Sequence, residues 1–125
     1  MLKLLYIDDE INSLFLFKEL FKKWFTVYTL DDPTKAFDLI SKEGINVLIT
    51  DYLMPGMNGL ELAQKLHESF PTVIVIILTA YDDRDIMLQA INKELIFRYI
   101  MKPWKKAELE EVIRQALVRH ASLAG

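Results

Sequence analysis

The 125-residue chain contains no cysteine, which excludes disulfides, thiol nucleophiles and thiolate-held metals and fits a reducing compartment. Its two histidines, His67 and His120, fall near predicted helix ends, and we expect both to be solvated surface residues rather than catalysts. Glycine and proline number four each, and no Gly-x-Gly-x-x-Gly or Gly-x-x-x-x-Gly-Lys loop follows the first predicted strand. The backbone cradle for a dinucleotide or a nucleoside triphosphate is therefore missing. A Gly-x-Ser-x-Gly nucleophile elbow is absent too. No hydrophobic run approaches the length of a bilayer; the longest is Val73–Leu78. Asp8, Asp9 and Glu10 come too early for a signal peptide. The net charge is −3, and basic residues adjoin only at Lys22-Lys23 and Lys105-Lys106, so direct nucleic-acid binding is not expected. These absences together predict a cytoplasmic protein with no membrane contact.

What is present is the composition of a globular domain, 52% hydrophobic and 26% charged. We expect a single domain over residues 1–125, with no effector domain. Apolar strands are predicted at Leu2–Ile7, Phe25–Leu30, Asn46–Asp51, Val73–Leu78 and Ile96–Ile100, the last weakened by Arg98. Helices are predicted between and after them. The first covers Ile11–Trp24 and presents Leu16, Phe17, Leu20, Phe21 and Trp24 to the sheet, leaving Ile11, Leu14 and Phe15 off that stripe. The second is capped by Asp31 or Asp32 before Pro33 and ends at Gly44; the third is closed by Pro71; the fourth begins at Asp82 or Asp83. A strict β–α alternation with buried-looking strands argues a parallel sheet with helices on both faces, joined by right-handed crossovers.

In such a sheet the ends of the strands open on one edge, where open α/β folds place their chemistry. That edge receives Asp8 and Asp9 from the first strand, Asp51 from the third, Thr79 from the fourth and Lys102 from the fifth. Three converging carboxylates repel one another and need protons or a cation. A hard divalent ion such as Mg²⁺ is the economical partner. Lys102 offers a point charge and Thr79 a hydroxyl to phosphate oxygens. The inventory fits phosphoryl transfer, with Asp51 as a nucleophile that forms an aspartyl-phosphate.

Asp8-Asp9-Glu10, the run Asp51-Tyr52-Leu53-Met54-Pro55-Gly56-Met57-Asn58-Gly59, Thr79-Ala80 and Tyr99-Ile100-Met101-Lys102-Pro103 resemble the receiver domain of two-component response regulators. The likeness spans the chain, with the pieces in the right order. It implies a flavodoxin-like, doubly wound (βα)5 sandwich with parallel strands in the order 2-1-3-4-5. It also implies that Asp51 accepts phosphate from a sensor histidine kinase or a phosphotransfer protein. Asp8, Asp9 and Asp51, with the backbone carbonyl of Leu53, would bind Mg²⁺. Lys102 would contact the phosphoryl group, Thr79 would swing toward it, and Tyr99 would follow inward to remodel the surface of helix four, strand five and helix five. The domain would be no enzyme beyond its own phosphotransfer and autodephosphorylation. It would signal to a downstream effector or an attached output domain, and phosphorylation could pair two copies through the remodelled face.

Several residues depart from the family pattern. Asn58 stands where Asp is frequent and should still cap the next helix. The connection Asn92-Lys93-Glu94-Leu95 lacks a glycine, so Asn92, or Asn-like left-handed geometry, is expected to turn it. Leu53 and Tyr81, each two residues past a key site position, are poor holders of an attacking water, which predicts a long-lived phospho-form. Trp104 and Arg98 resemble receivers attached to HD-type cyclic-dinucleotide phosphodiesterases or to kinases. Ile11, Leu14 and Phe15, with Pro103 and Trp104, are the expected kinase-docking patch. Two rival readings are a phosphorylation-independent interaction module and a small metal-dependent phosphohydrolase. The first would not need the full set of site residues. The second needs a second acid where Leu53 stands.

Overall fold

The alternating pattern folds as its periodicity dictates. In a computed structural model, which describes residues 1–80 and 83–124, the order is β1 (Lys3–Ile7), α1 (Ile11–Phe21), β2 (Thr26–Leu30), α2 (Ala36–Glu43), β3 (Val47–Asp51), α3 (Gly59–Ser69), β4 (Ile74–Thr79), α4 (Arg84–Asn92), β5 (Arg98–Met101) and α5 (Lys106–Ala124). The strands are all parallel in the order β2-β1-β3-β4-β5, as expected. The expected features at Tyr81 and Asp82, and the final Gly125, lie outside the described residues.

Because successive strand residues face opposite sides, β1 divides its side chains between two cores. Leu4 and Tyr6 point to the layer of α1 and α5, where Phe17, Phe21, Leu109 and Ile113 pack. Leu5 and Ile7 point to the layer of α2, α3 and α4, with Ile40, Leu62, Leu66 and Met87. A sheet buried on both faces explains the unbroken apolar runs.

The helix boundaries follow local chemistry. Asn58 does cap α3: its Oδ1 accepts from the Glu61 amide at 2.8 Å while Glu61 Oε1 accepts from the Asn58 amide at 3.1 Å. Asp32 caps a 3₁₀ turn, Pro33–Lys35, that leads into α2, and Gly44 closes α2 in the left-handed region at φ 68°.

Three expectations are corrected here. The helix-four corner does use left-handed geometry, but at Glu94 (φ 61°) and not at Asn92, which is the last residue of α4; this lets the Leu95 amide reach the Ala90 carbonyl at 2.9 Å. In α1 the buried stripe is Leu14, Phe17 and Phe21, while Leu16 is 52% exposed and Trp24 lies beyond the helix and is 44% exposed. The helix offers two apolar stripes of similar strength. Phe17 and Phe21, common to both, are buried as expected, Phe17 packing on Tyr6 with ring centroids 4.5 Å apart, and Leu14 rather than Leu16 turns in beside them. Finally, His120 is not a free surface residue. Its Nδ1 bonds the Thr72 carbonyl at 2.6 Å and its Nε2 meets Asn46 Nδ2 at 3.1 Å, which ties α5 to the amino edge of the sheet.

Candidate functional site

The backbone ladder carries the site residues just to the carboxyl edge. The Asp8 amide donates to the Leu30 carbonyl at 3.2 Å, the Tyr52 amide to Leu78 at 2.8 Å and the Lys102 amide to Thr79 at 2.8 Å. β3 ends in Asp51, opposite Leu78, and β4 ends in Thr79, opposite Met101. Asp8 and Thr79 are both buried at 1% exposure. The Lys102–Pro103 peptide is cis.

Asp8, Asp9 and Asp51 each bring a carboxylate oxygen within 4.8 Å of the others. Lys102 Nζ lies between two of them, 3.3 Å from Asp8 Oδ2 and 3.2 Å from Asp51 Oδ1. One ammonium thus serves two carboxylates, with a third close by, and the charge is under-compensated. Burial pushes the Asp51 carboxyl above its ordinary range; Lys102 pulls it back only in part and Asp8 adds to the rise. Burial opposes the Lys102 ammonium as well, but Asp51 and Asp8 outweigh it and hold the lysine above its usual value. Asp51 and Lys102 are thus both shifted toward holding a proton, beside a cluster of three carboxylates.

Gly59 makes the turn after β3 possible. A Cβ there would stand 2.8 Å from the Asp51 carbonyl oxygen, so only glycine lets α3 begin against the backbone of the site. Sequence reasoning missed that role, and it missed Tyr6 altogether. The Tyr6 hydroxyl donates to Asp8 Oδ2 at 2.6 Å. The signal was available: a phenol among the buried apolar residues of a strand, two residues before a carboxylate, shares its face and needs a partner.

The expected docking residues do not form one patch. Pro103 and Trp104 line a cleft of about 550 Å³ beside Lys102, but from α1 it is Ser13, Leu16 and Leu20 that join them. Leu14 is buried in the core at 8% exposure and is withdrawn from the docking set. Ile11 and Phe15 are exposed, at 70% and 68%, but do not line this cleft. The cause is again the rotation of α1, which turns the Leu16 stripe toward Trp104. Tyr99 is half-buried against the layer that includes Met87 and Ala90. Among the described residues, no helix is long and apolar enough to cross a membrane.

Comparison with known proteins bears on this geometry. The family model described as "Response regulator receiver domain" matches residues 4–114. The chain is 29% identical over 113 residues to the hydrogenase transcriptional regulatory protein HoxA of Cupriavidus necator, covering 90% of this chain and only 23% of that one. It therefore spans about a quarter of that relative's length. It is 27% identical over 117 residues to the sporulation initiation phosphotransferase F of Bacillus subtilis, covering 92% of this chain and 93% of the relative. A solved response regulator receiver domain protein from Clostridium thermocellum superposes with a TM-score of 0.91 at 30% identity, covering 98% of this chain and 99% of that one. Sequence motifs, strand order and these likenesses converge: the chain belongs to the receiver domain family of two-component response regulators.

Proposed function

We propose that the chain is a phosphorylatable switch in which Asp51 accepts a phosphoryl group from the phosphohistidine of a sensor kinase or phosphotransfer protein. The observation that carries this reading is a half-buried carboxylate whose ammonium partner among the described residues, at 3.2 Å, is shared with a second, buried carboxylate. The oxygen-only donor set and its charge deficit fit a hard divalent ion. Asp8, Asp9 and Asp51, with the Leu53 backbone carbonyl carried over from the family, would hold Mg²⁺. When bound, Mg²⁺ supplies positive charge against the attacking carboxylate and the transferred oxygens.

The chain's own residues do the rest. An Asp51 carboxylate oxygen attacks phosphorus. The P–O bond forms as the P–N bond of the phosphohistidine breaks, and the departing imidazole keeps the electron pair and takes up a proton. Lys102 exchanges its Asp51 contact for a phosphoryl oxygen, and the Thr79 hydroxyl donates to another. The new group brings about −1.5 to −2 charge and three acceptors. That charge biases Tyr99 inward and changes the surface of α4, β5 and α5, which a downstream effector, an attached output domain or a second copy reads. The phosphodonor protein docks on the cleft of Leu16, Leu20, Pro103 and Trp104, which opens beside Lys102.

Acetyl phosphate with Mg²⁺, followed by intact mass, tests the reading. One phosphoryl adduct on the wild type, lost in Asp51→Asn and absent with chelator, is the expected result. No adduct on the wild type would leave a phosphorylation-independent interaction module. Turnover of added phosphate esters would point to a phosphohydrolase.

A further inference from the structure

Tyr6 is 1% exposed in β1 and carries a polar tip in a strand whose other buried members, Leu4, Leu5 and Ile7, have none. Strand periodicity puts it on the same face as Asp8. Its hydroxyl reaches Asp8 Oδ2 at 2.6 Å, while the Glu10 amide donates to Asp8 Oδ1 at 3.0 Å, so each carboxylate oxygen has its own fixed donor. The ring is fixed in turn. It packs on Phe17 at 4.5 Å between centroids, and Phe17 packs on Phe21 at 4.7 Å. Held this way, the phenol hydroxyl acts as a donor to the carboxylate.

Lys102 also reaches Asp8 Oδ2, at 3.3 Å. We infer that Tyr6 is a positioning residue for the cation site: its hydroxyl holds the Asp8 carboxylate in one rotamer, so that Asp8 stays available to a divalent ion and is not drawn closer to Lys102 than the 3.3 Å at which the two already pair. The inference rests on the reading above that the acidic cluster binds such an ion. Two effects of removing the hydroxyl oppose each other. A donor on a ligand carboxylate reduces its basicity, so its loss alone would tighten metal binding. Yet without it Lys102 is the remaining side-chain partner of Asp8 among the described residues, and that ion pair competes directly with the metal. Removing an orienting partner of a ligand typically weakens metal binding about 10–100-fold, so positioning outweighs basicity.

The experiment is a Mg²⁺ titration of the full chain, by calorimetry and by the Glu10 amide resonance, for wild type, Tyr6→Phe and Phe17→Leu, with melting temperatures measured without Mg²⁺. Tyr6→Phe keeps the ring and should bind Mg²⁺ at least about tenfold more weakly. Phe17→Leu thins the packing beneath the ring without touching the hydroxyl; it should melt lower and keep the wild-type affinity. Equal or tighter binding by Tyr6→Phe overturns the inference, as does an equal loss in both variants, which would assign the effect to packing. A wild type that binds no Mg²⁺ removes the cation-site reading itself, an outcome the variants do not mimic.

Discussion

The two ends of the sheet use the same strands in opposite ways. At the amino edge Lys3, Asn46, Thr72 and His120 are joined by matched hydrogen bonds. The Lys3 amide donates to Asn46 Oδ1 at 2.7 Å, and Asn46 Nδ2 meets His120 Nε2. His120 Nδ1 then bonds the Thr72 carbonyl, and Lys3 Nζ donates to the Glu43 carbonyl at 2.6 Å. At the carboxyl edge two carboxylates share one lysine, with a third within reach. The first arrangement closes the structure and asks for nothing further. The second holds unbalanced charge at the tips of rigid strands. Function sits where local consistency is broken, and the closed end is part of what holds it there.

Gly59→Ala probes whether the unbalanced end also has a structural seam. The new Cβ would meet the Asp51 carbonyl at 2.8 Å, so backbone must move, at a cost of about 1–3 kcal/mol. Both the urea midpoint and the rate of acetyl-phosphate labelling should fall; unchanged labelling would mean that the shift stops short of the Asp51 side chain.

His120→Ala tests the closed end. It leaves the Thr72 carbonyl and the Asn46 amide without their partner and should cost about 1–2 kcal/mol in denaturant unfolding, with labelling of Asp51 unaltered. A loss of labelling as large as the loss of stability would show that the two ends are not separable.

The smallest effect has the opposite sign. Because the folded-state pKa of Asp51 is raised, its ionised form destabilises the metal-free fold, and that penalty is relieved as pH falls through the raised value toward 3.8. Asp51→Asn should therefore melt slightly above the wild type at neutral pH without Mg²⁺. The advantage should vanish in acid below the unfolded-state value. A variant that melts lower at neutral pH would mean that the Lys102 pair outweighs burial and the repulsion of Asp8.

Much of this molecule was legible in its residues. Period and punctuation fixed the five strands and five helices, because alternating apolar runs and Pro, Gly and Asn breaks act locally. Asp8, Asp9, Asp51, Thr79 and Lys102 could be assembled on one edge because a parallel sheet presents all its strand ends together. The motifs named the family. Three matters waited for the tertiary structure. The rotation of α1, which buries Leu14 and exposes Leu16, depended on how Phe17 and Phe21 seat against Tyr6 and Trp104. The roles of Tyr6 and His120 depended on partners brought to them by folding, Asp8 for one and Asn46 with Thr72 for the other. The charge imbalance around Lys102 depended on distances between strands that are far apart in the chain. Sequence alone determined which groups are present and which edge they occupy, since both follow from short-range pattern. Which of those groups are satisfied and which are left wanting was decided only by three-dimensional packing, since it alone sets the distances between charges.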